Sequence, residues 1–145
     1  MLGDWLGETI YAQAAAMGNI QLLNGTTLEI AVQRGFQDDF LKHFQYVGVD
    51  DGCACGRALR SGSAVTIEDV ERDDLFAPHR QIAASAGFRA VQSVPLVNAH
   101  GNALGMLSVH YAKPLHHPEW RLPELRVRAR YAAQLVERML RQPVG

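Results

Sequence analysis

Two apolar stretches, AVQSVPLV at Ala90–Val97 and ALGMLSVHY at Ala103–Tyr111, are separated only by the polar link Asn98, Ala99, His100, Gly101, Asn102. Each has the length and β-branched content of a strand, and a Gly-bearing link of this size fits an antiparallel hairpin. No other feature constrains the fold as much. The inward positions are not purely apolar, because Gln92, Ser108 and His110 are interleaved with Val94, Leu96 and Met106. A sheet face that is covered yet polar marks a place where something small and polar is held.

Shorter signals set the remaining elements. The alanine-rich segment from Asp4 to about Ala16 places Leu6, Ile10, Tyr11 and Ala14 at helical spacing. Met17–Leu23 and Thr27–Gln33 flank Asn24-Gly25, a dipeptide that favours a tight hairpin. Phe36–Phe44 suits a helical turn or two, and Cys53–Arg60 reads as a short helix stopped by Gly62. Ala64–Ile67 is a brief strand. Pro78 suits the first turn of a helix running to about Ala86, with Gly87 as its stop. The last helix, from about Glu119 to Leu140, carries Leu122, Leu125, Ala129, Ala132, Val136 and Met139 in a seven-residue rhythm suited to a partner helix. The same stripe would equally serve to cover the sheet of its own domain.

A chain of 145 residues has the size of one domain, 1–145, with one core. Its 14 basic and 15 acidic residues nearly cancel, which argues against nucleic-acid binding through bulk charge. No apolar run approaches the roughly 18 residues of a membrane helix, and the start MLGDWLGETI lacks the order of a secretion signal. The expectation is a soluble, cytoplasmic domain without membrane contact of its own. Cys53 and Cys55 are too few and too close for a disulfide framework, in keeping with a reducing compartment.

Several segments together resemble the GAF sensory domain, in the version found in bacterial sensor histidine kinases. They are MGNIQLL at 17–23, QRGF at 33–36, CACGRALRSG at 53–62, IEDVERDDLFAPHR at 67–80, AGFRAVQSVPL at 86–96 and GMLSVHY at 105–111. The resemblance implies an α+β fold, with an antiparallel sheet of five or six strands. The N- and C-terminal helices would lie on one face, and short helices and loops would close a pocket over the other. It also implies a regulatory domain without catalysis, which binds a small ligand or only dimerises and passes strain through its terminal helices to an output domain. Tetrapyrrole-binding relatives carry a Cys-His pair where this chain has Pro78-His79, so no covalent bilin is expected at Pro78.

Strand alternation sorts the candidate site. With Gly18, Ile20 and Leu22 toward the terminal helices, Asn19, Gln21 and Leu23 point the other way. Gly105, Leu107 and Val109 split likewise from Met106, Ser108 and His110, and the reading adds Gln92 to the pocket side. Unpartnered burial would cost each polar group about 1 to 3 kcal/mol, so they must bond one another, water or a ligand. Phe76, His79 and Arg80 are expected at the pocket mouth, with Arg80 or Arg89 able to hold an anion by a two-pronged contact or simply to form surface ion pairs.

Cys53 near a helix start is expected to have a lowered thiol pKa, which leaves a redox role open. Two residues apart on a helix, Cys53 and Cys55 should point in different directions, which argues against an internal disulfide. No further ligand lies adjacent in sequence to complete a metal site, and the adjacent His116 and His117 read as a wet loop.

Three functions therefore stand: a small-ligand sensor of a two-component histidine kinase, homodimeric through its terminal helices with the kinase in cis; a dimerisation spacer; and a cysteine-dependent GAF-type redox enzyme. No phospho-accepting histidine motif follows Arg141, so a kinase portion would lie elsewhere in a parent protein.

Overall fold

The computed structural model describes residues 2–116 and 118–141, and His117 lies outside them. The elements in chain order are α1 (Leu2–Ala12), β1 (Met17–Asn24), β2 (Thr27–Arg34), α2 (Asp38–His43), β3 (Tyr46–Val47) and α3 (Ala54–Ser61). They continue with β4 (Val65–Ile67), a 3-10 segment (Asp74–His79), α4 (Arg80–Ala86), β5 (Ala90–Val97), β6 (Ala103–Tyr111) and α5 (Leu122–Arg141). The strands form one six-stranded sheet in the order β3-β2-β1-β6-β5-β4, antiparallel at every junction.

Each face of this sheet carries its own apolar layer. On one side α1 and α5 press Leu6, Leu125 and Ala132 onto Ile20, Leu107 and Val109. On the other, α2, α3, the 3-10 segment and α4 bring Phe40, Ala58, Phe76 and Ala83 over Leu28, Val91 and Met106. The α+β architecture is thus the expected one, with terminal helices on one face and short elements on the other.

The heptad stripe of α5 covers its own sheet. Leu125, Ala129, Ala132 and Val136 are buried in that layer and Leu122 packs against it, while Met139 is exposed. The apolar back of β5 and β6 needs a cover, and burial there stabilises by about 25 cal/mol per Å². The buried members of the stripe are consequently not available to a partner helix. Val127, Tyr131 and Leu140 are exposed on α5 along with Met139.

Local chemistry explains most boundaries. Asn24 pairs with Thr27, leaving Gly25 (φ 63°) and Thr26 as a two-residue hairpin loop whose positive φ only glycine adopts freely. Gly62 and Gly87 terminate α3 and α4 in the left-handed conformation. Pro78 falls inside the 3-10 segment and not at the start of α4, because the Asp73 side chain caps that segment by accepting the Phe76 N–H at 3.1 Å. The last helix begins at Leu122, after a 3-10 turn at Pro118–Trp120.

Close strand approach fixes Gly105. A Cβ there would lie 2.0 Å from the Gln21 carbonyl oxygen of β1. Gly105→Ala is expected to cost about 3 kcal/mol, because backbone must shift to relieve the overlap. A urea midpoint unchanged from the parent would contradict this packing.

Candidate functional site

Between the sheet and its short-helix cover lies a cavity of about 20 Å³, room for about one water. Its floor is polar: Asn19 and Gln21 from β1, Ser93 from β5, and Ser108 and His110 from β6. Its roof is aromatic, made by Phe40 of α2, Phe44 after it, Phe76 of the 3-10 segment and Phe88 before β5, and Cys53 and Cys55 at the start of α3 close one side. Alternation in β1 and β6 produces the floor, since each polar residue sits between neighbours committed to the terminal-helix layer.

The polar floor is only partly satisfied. Ser93 Oγ and Ser108 Oγ bond each other at 2.6 Å. Among the described residues, Asn19 Oδ1, Gln21 Oε1 and His110 Nδ1 are buried and find no hydrogen-bond partner. The His110 ring stands edge-on to Phe36, Phe40 and Phe88, with centroids 4.9, 5.8 and 4.6 Å away. Burial among these rings pushes its pKa down to about 3, so the imidazole is neutral at ordinary pH. Among the described residues no Arg or Lys side chain lines the cavity.

Asn19, Gln21, Ser108 and His110 share the chamber as expected, and Phe76 roofs it. Gln92 does not. Its carboxamide lies on the terminal-helix side, where Oε1 accepts from the Tyr111 hydroxyl at 2.7 Å and Nε2 donates to Thr66 Oγ1 at 3.2 Å. The cause is a bulge in the β5–β6 hairpin. Val97 pairs with Ala103 but Leu96 pairs with Gly105, so Leu104 is the extra residue and every later pair moves by one. Gln92 therefore opposes Val109, and Ser93 opposes Ser108. A one-residue shift exchanges the faces of a strand.

The charged candidates are engaged elsewhere. Arg89 forks onto the Asp69 carboxylate at 3.0 to 3.2 Å, which holds that carboxyl below its ordinary range. Arg80 donates to the carbonyls of Val70 and Asp73. Neither lines the cavity, and of the two expectations for them Arg89 follows the surface ion pair. His79 sits outside the roof, against Phe44 and Phe76. Its Nε2 lies 2.7 Å from Asp51 Oδ1, to which it donates, and its Nδ1 shares a hydrogen bond with His43 Nε2 at 2.8 Å. The His79 hydrogen bond holds the Asp51 carboxyl down to about 2. This chain fastens α2, the loop before α3 and the 3-10 segment into one cover.

Cys53 and Cys55 also depart from expectation. Cys53 is the N-cap of α3, with extended backbone (φ −70°, ψ 166°), and this turns its side chain back toward Cys55. The sulfurs approach to 3.3 Å. Cys53 has its pKa raised, first by its hydrogen bond to Cys55 and then by burial, the reverse of the helix-terminus effect expected for it. The same hydrogen bond favours the thiolate of Cys55. Among the described residues no group of His, Cys, Asp and Glu is arranged to hold a metal ion.

Sequence reasoning missed Ser93 and most of the aromatic roof. Ser93 would follow from the bulge, which the Leu-Gly pair at 104–105 does not announce. Phe40, Phe44 and Phe88 come from short elements whose inward faces no periodicity reveals.

The family model for the GAF domain matches residues 5–139. A domain of a protein described as a two-component sensor histidine kinase from Sinorhizobium meliloti 1021 superposes with a TM-score of 0.76 at 16% identity, over 95% of this chain and 89% of that one. A GAF domain/HD domain protein from Geobacter sulfurreducens gives 0.76 at 17% identity, over 97% and 93%. A type II free methionine-R-sulfoxide reductase from Thermoplasma acidophilum gives 0.72 at 16% identity, over 95% and 96%. At these identities the likeness is one of fold. A comparison with curated proteins found no match.

Proposed function

The chain belongs to the GAF domain family, and from that premise we propose that it is the sensory domain of a bacterial signal-transduction protein, binding a small neutral ligand and regulating a histidine kinase in cis. The observation that carries this reading is the set of orphaned atoms in the chamber: Asn19 Oδ1, Gln21 Oε1 and His110 Nδ1. Each unpartnered buried polar atom costs about 1 to 3 kcal/mol, a penalty that a guest with matching groups would relieve. Two of the three are amide oxygens, which only accept, and no Arg or Lys among the described residues lines the chamber. That chemistry favours a neutral hydrogen-bond donor over an anion.

The route outward runs through shared strands. Asn19 and Gln21 alternate with Gly18, Ile20 and Leu22, so β1 carries the chamber floor on one face and the terminal helices on the other. The His110 carbonyl accepts the Ala16 N–H at 2.8 Å, tying β6 to the segment leaving α1. Arg121 donates to the Gln13 carbonyl, and Arg128 donates to Thr9 Oγ1 at 3.3 Å, so α5 is fastened to α1. A guest shifts the output only if it binds one arrangement of these helices more tightly than the other. In the parent protein the domain would act as a homodimer through its terminal helices.

The small volume supports a second reading, a spacer whose chamber holds only water. Thermal melts of the purified chain with urea, formamide, glycerol, amino acids, inorganic phosphate, cyclic nucleotides and tetrapyrroles separate the two. A bound guest at 100 times its dissociation constant adds about 2.7 kcal/mol of stability. The sensor reading expects a neutral donor to raise the melting temperature, and Gln21→Leu to abolish the rise. Unmoved melts across the whole panel would leave the spacer.

A further inference from the structure

We propose that the chamber is also a redox site, in which Cys53 and Cys55 are oxidised by a hydroperoxide to a reversible intrachain disulfide. The inference rests on the chamber reading above and names one class of molecule that the chamber receives. Its first support is the approach of the two sulfurs to 3.3 Å across the N-cap of α3, so that about 1 Å of movement brings them to bonding distance. The second is their place: both sulfur-bearing residues line the same cavity as the orphaned acceptors Asn19 Oδ1 and Gln21 Oε1.

Size and polarity select the oxidant. A space of about 20 Å³ excludes a substrate as large as an amino-acid sulfoxide while its cover is closed, but hydrogen peroxide is hardly larger than water. Its hydrogens can be donated to the amide oxygens that have no other donor, which holds its oxygens beside the sulfurs. Cys55 is the attacking residue. The sulfurs lie 3.3 Å apart, and with the Cys53 thiol donating across that contact the thiolate of Cys55 is the one favoured.

The chemistry balances within the chamber. The Cys55 thiol gives up its proton, its thiolate attacks one peroxide oxygen, the O–O bond breaks, and the departing hydroxide takes up the proton released from Cys55 to leave as water. Cys53 then attacks the sulfur of the Cys55 sulfenic acid, the S–O bond breaks, and the Cys53 proton leaves with that hydroxyl as a second water. The dithiol loses a pair of electrons and the peroxide is reduced to water. A small-molecule thiol reverses the change by exchange.

Intact-mass measurement decides. The chain is reduced with dithiothreitol, freed of reductant without air, and given one equivalent of hydrogen peroxide. The expected product is monomeric and lighter by about 2 Da, returns to the starting mass with dithiothreitol, and is absent from Cys53→Ser and Cys55→Ser chains. A gain of oxygen at either cysteine with no loss of about 2 Da, a covalent dimer, or an unchanged mass would overturn the proposal. Repeating the ligand melts on the doubly substituted Cys53→Ser, Cys55→Ser chain separates this proposal from the sensor reading. A retained ligand shift with no disulfide in the parent would sink the redox site alone.

Discussion

Replacing Phe76 by Ala is expected to lower stability by about 3 to 5 kcal/mol, a large share of what a domain of this size has. The side chain is 2% exposed and sits between Phe88 and His79, centroids 6.2 and 5.4 Å away, directly over the polar floor. Its loss removes apolar contact and leaves a cavity that the Asp73-capped 3-10 segment cannot collapse to fill. The substitution should also unroof the thiols, so that Cys55 reacts faster with a bulky disulfide reagent in the native protein. Leu6→Ala supplies the contrast. It empties a site on the terminal-helix face, 0% exposed, and should destabilise comparably, by about 2 to 5 kcal/mol, without changing thiol reactivity. Equal acceleration by both substitutions would mean that reactivity reports global opening and not the chamber roof.

Acidification should destabilise the fold through His110. Its pKa is held near 3 by burial, against an ordinary value of 6.5. Below pH 6.5 the unfolded chain takes up a proton that the folded chain refuses, so stability falls with falling pH at up to about 1.4 kcal/mol per unit. Between pH 6.5 and pH 4 the loss should approach about 3 kcal/mol and continue until the folded value is reached. Asp51 acts lower down. Its carboxyl, held at about 2 by the His79 hydrogen bond, adds stability above pH 3.8 that disappears as pH falls through 2. Urea titrations from pH 7.5 to pH 4 test the larger effect, and His110→Gln should flatten the slope. An equally steep slope in that variant would assign the acid sensitivity to other groups.

The elements of this fold were legible because their local signals agree. Asn24-Gly25 fixes one hairpin, the two strand-like runs ending at Tyr111 fix the other, and Gly62 and Gly87 end their helices where expected. The chamber floor was legible wherever a strand keeps simple alternation, which places Asn19, Gln21, Ser108 and His110 together. It failed at Gln92, where the extra residue Leu104 exchanges the faces of β5. The sulfur geometry was hidden for a different reason. Helical spacing separates Cys53 from Cys55, but an N-cap residue does not have helical backbone. The heptad stripe of α5 was ambiguous in principle, because the spacing that suits a partner helix also suits the back of a sheet.

The central claim is that the orphaned polar atoms of the floor hold a small guest. A high-resolution diffraction study of the reduced protein tests it most directly. Ordered density larger than a single water, within hydrogen-bonding distance of Asn19 Oδ1, Gln21 Oε1 and His110 Nδ1, is the predicted result, and a lone water there would favour the spacer. A dry chamber in which these side chains have turned to bond one another would contradict it.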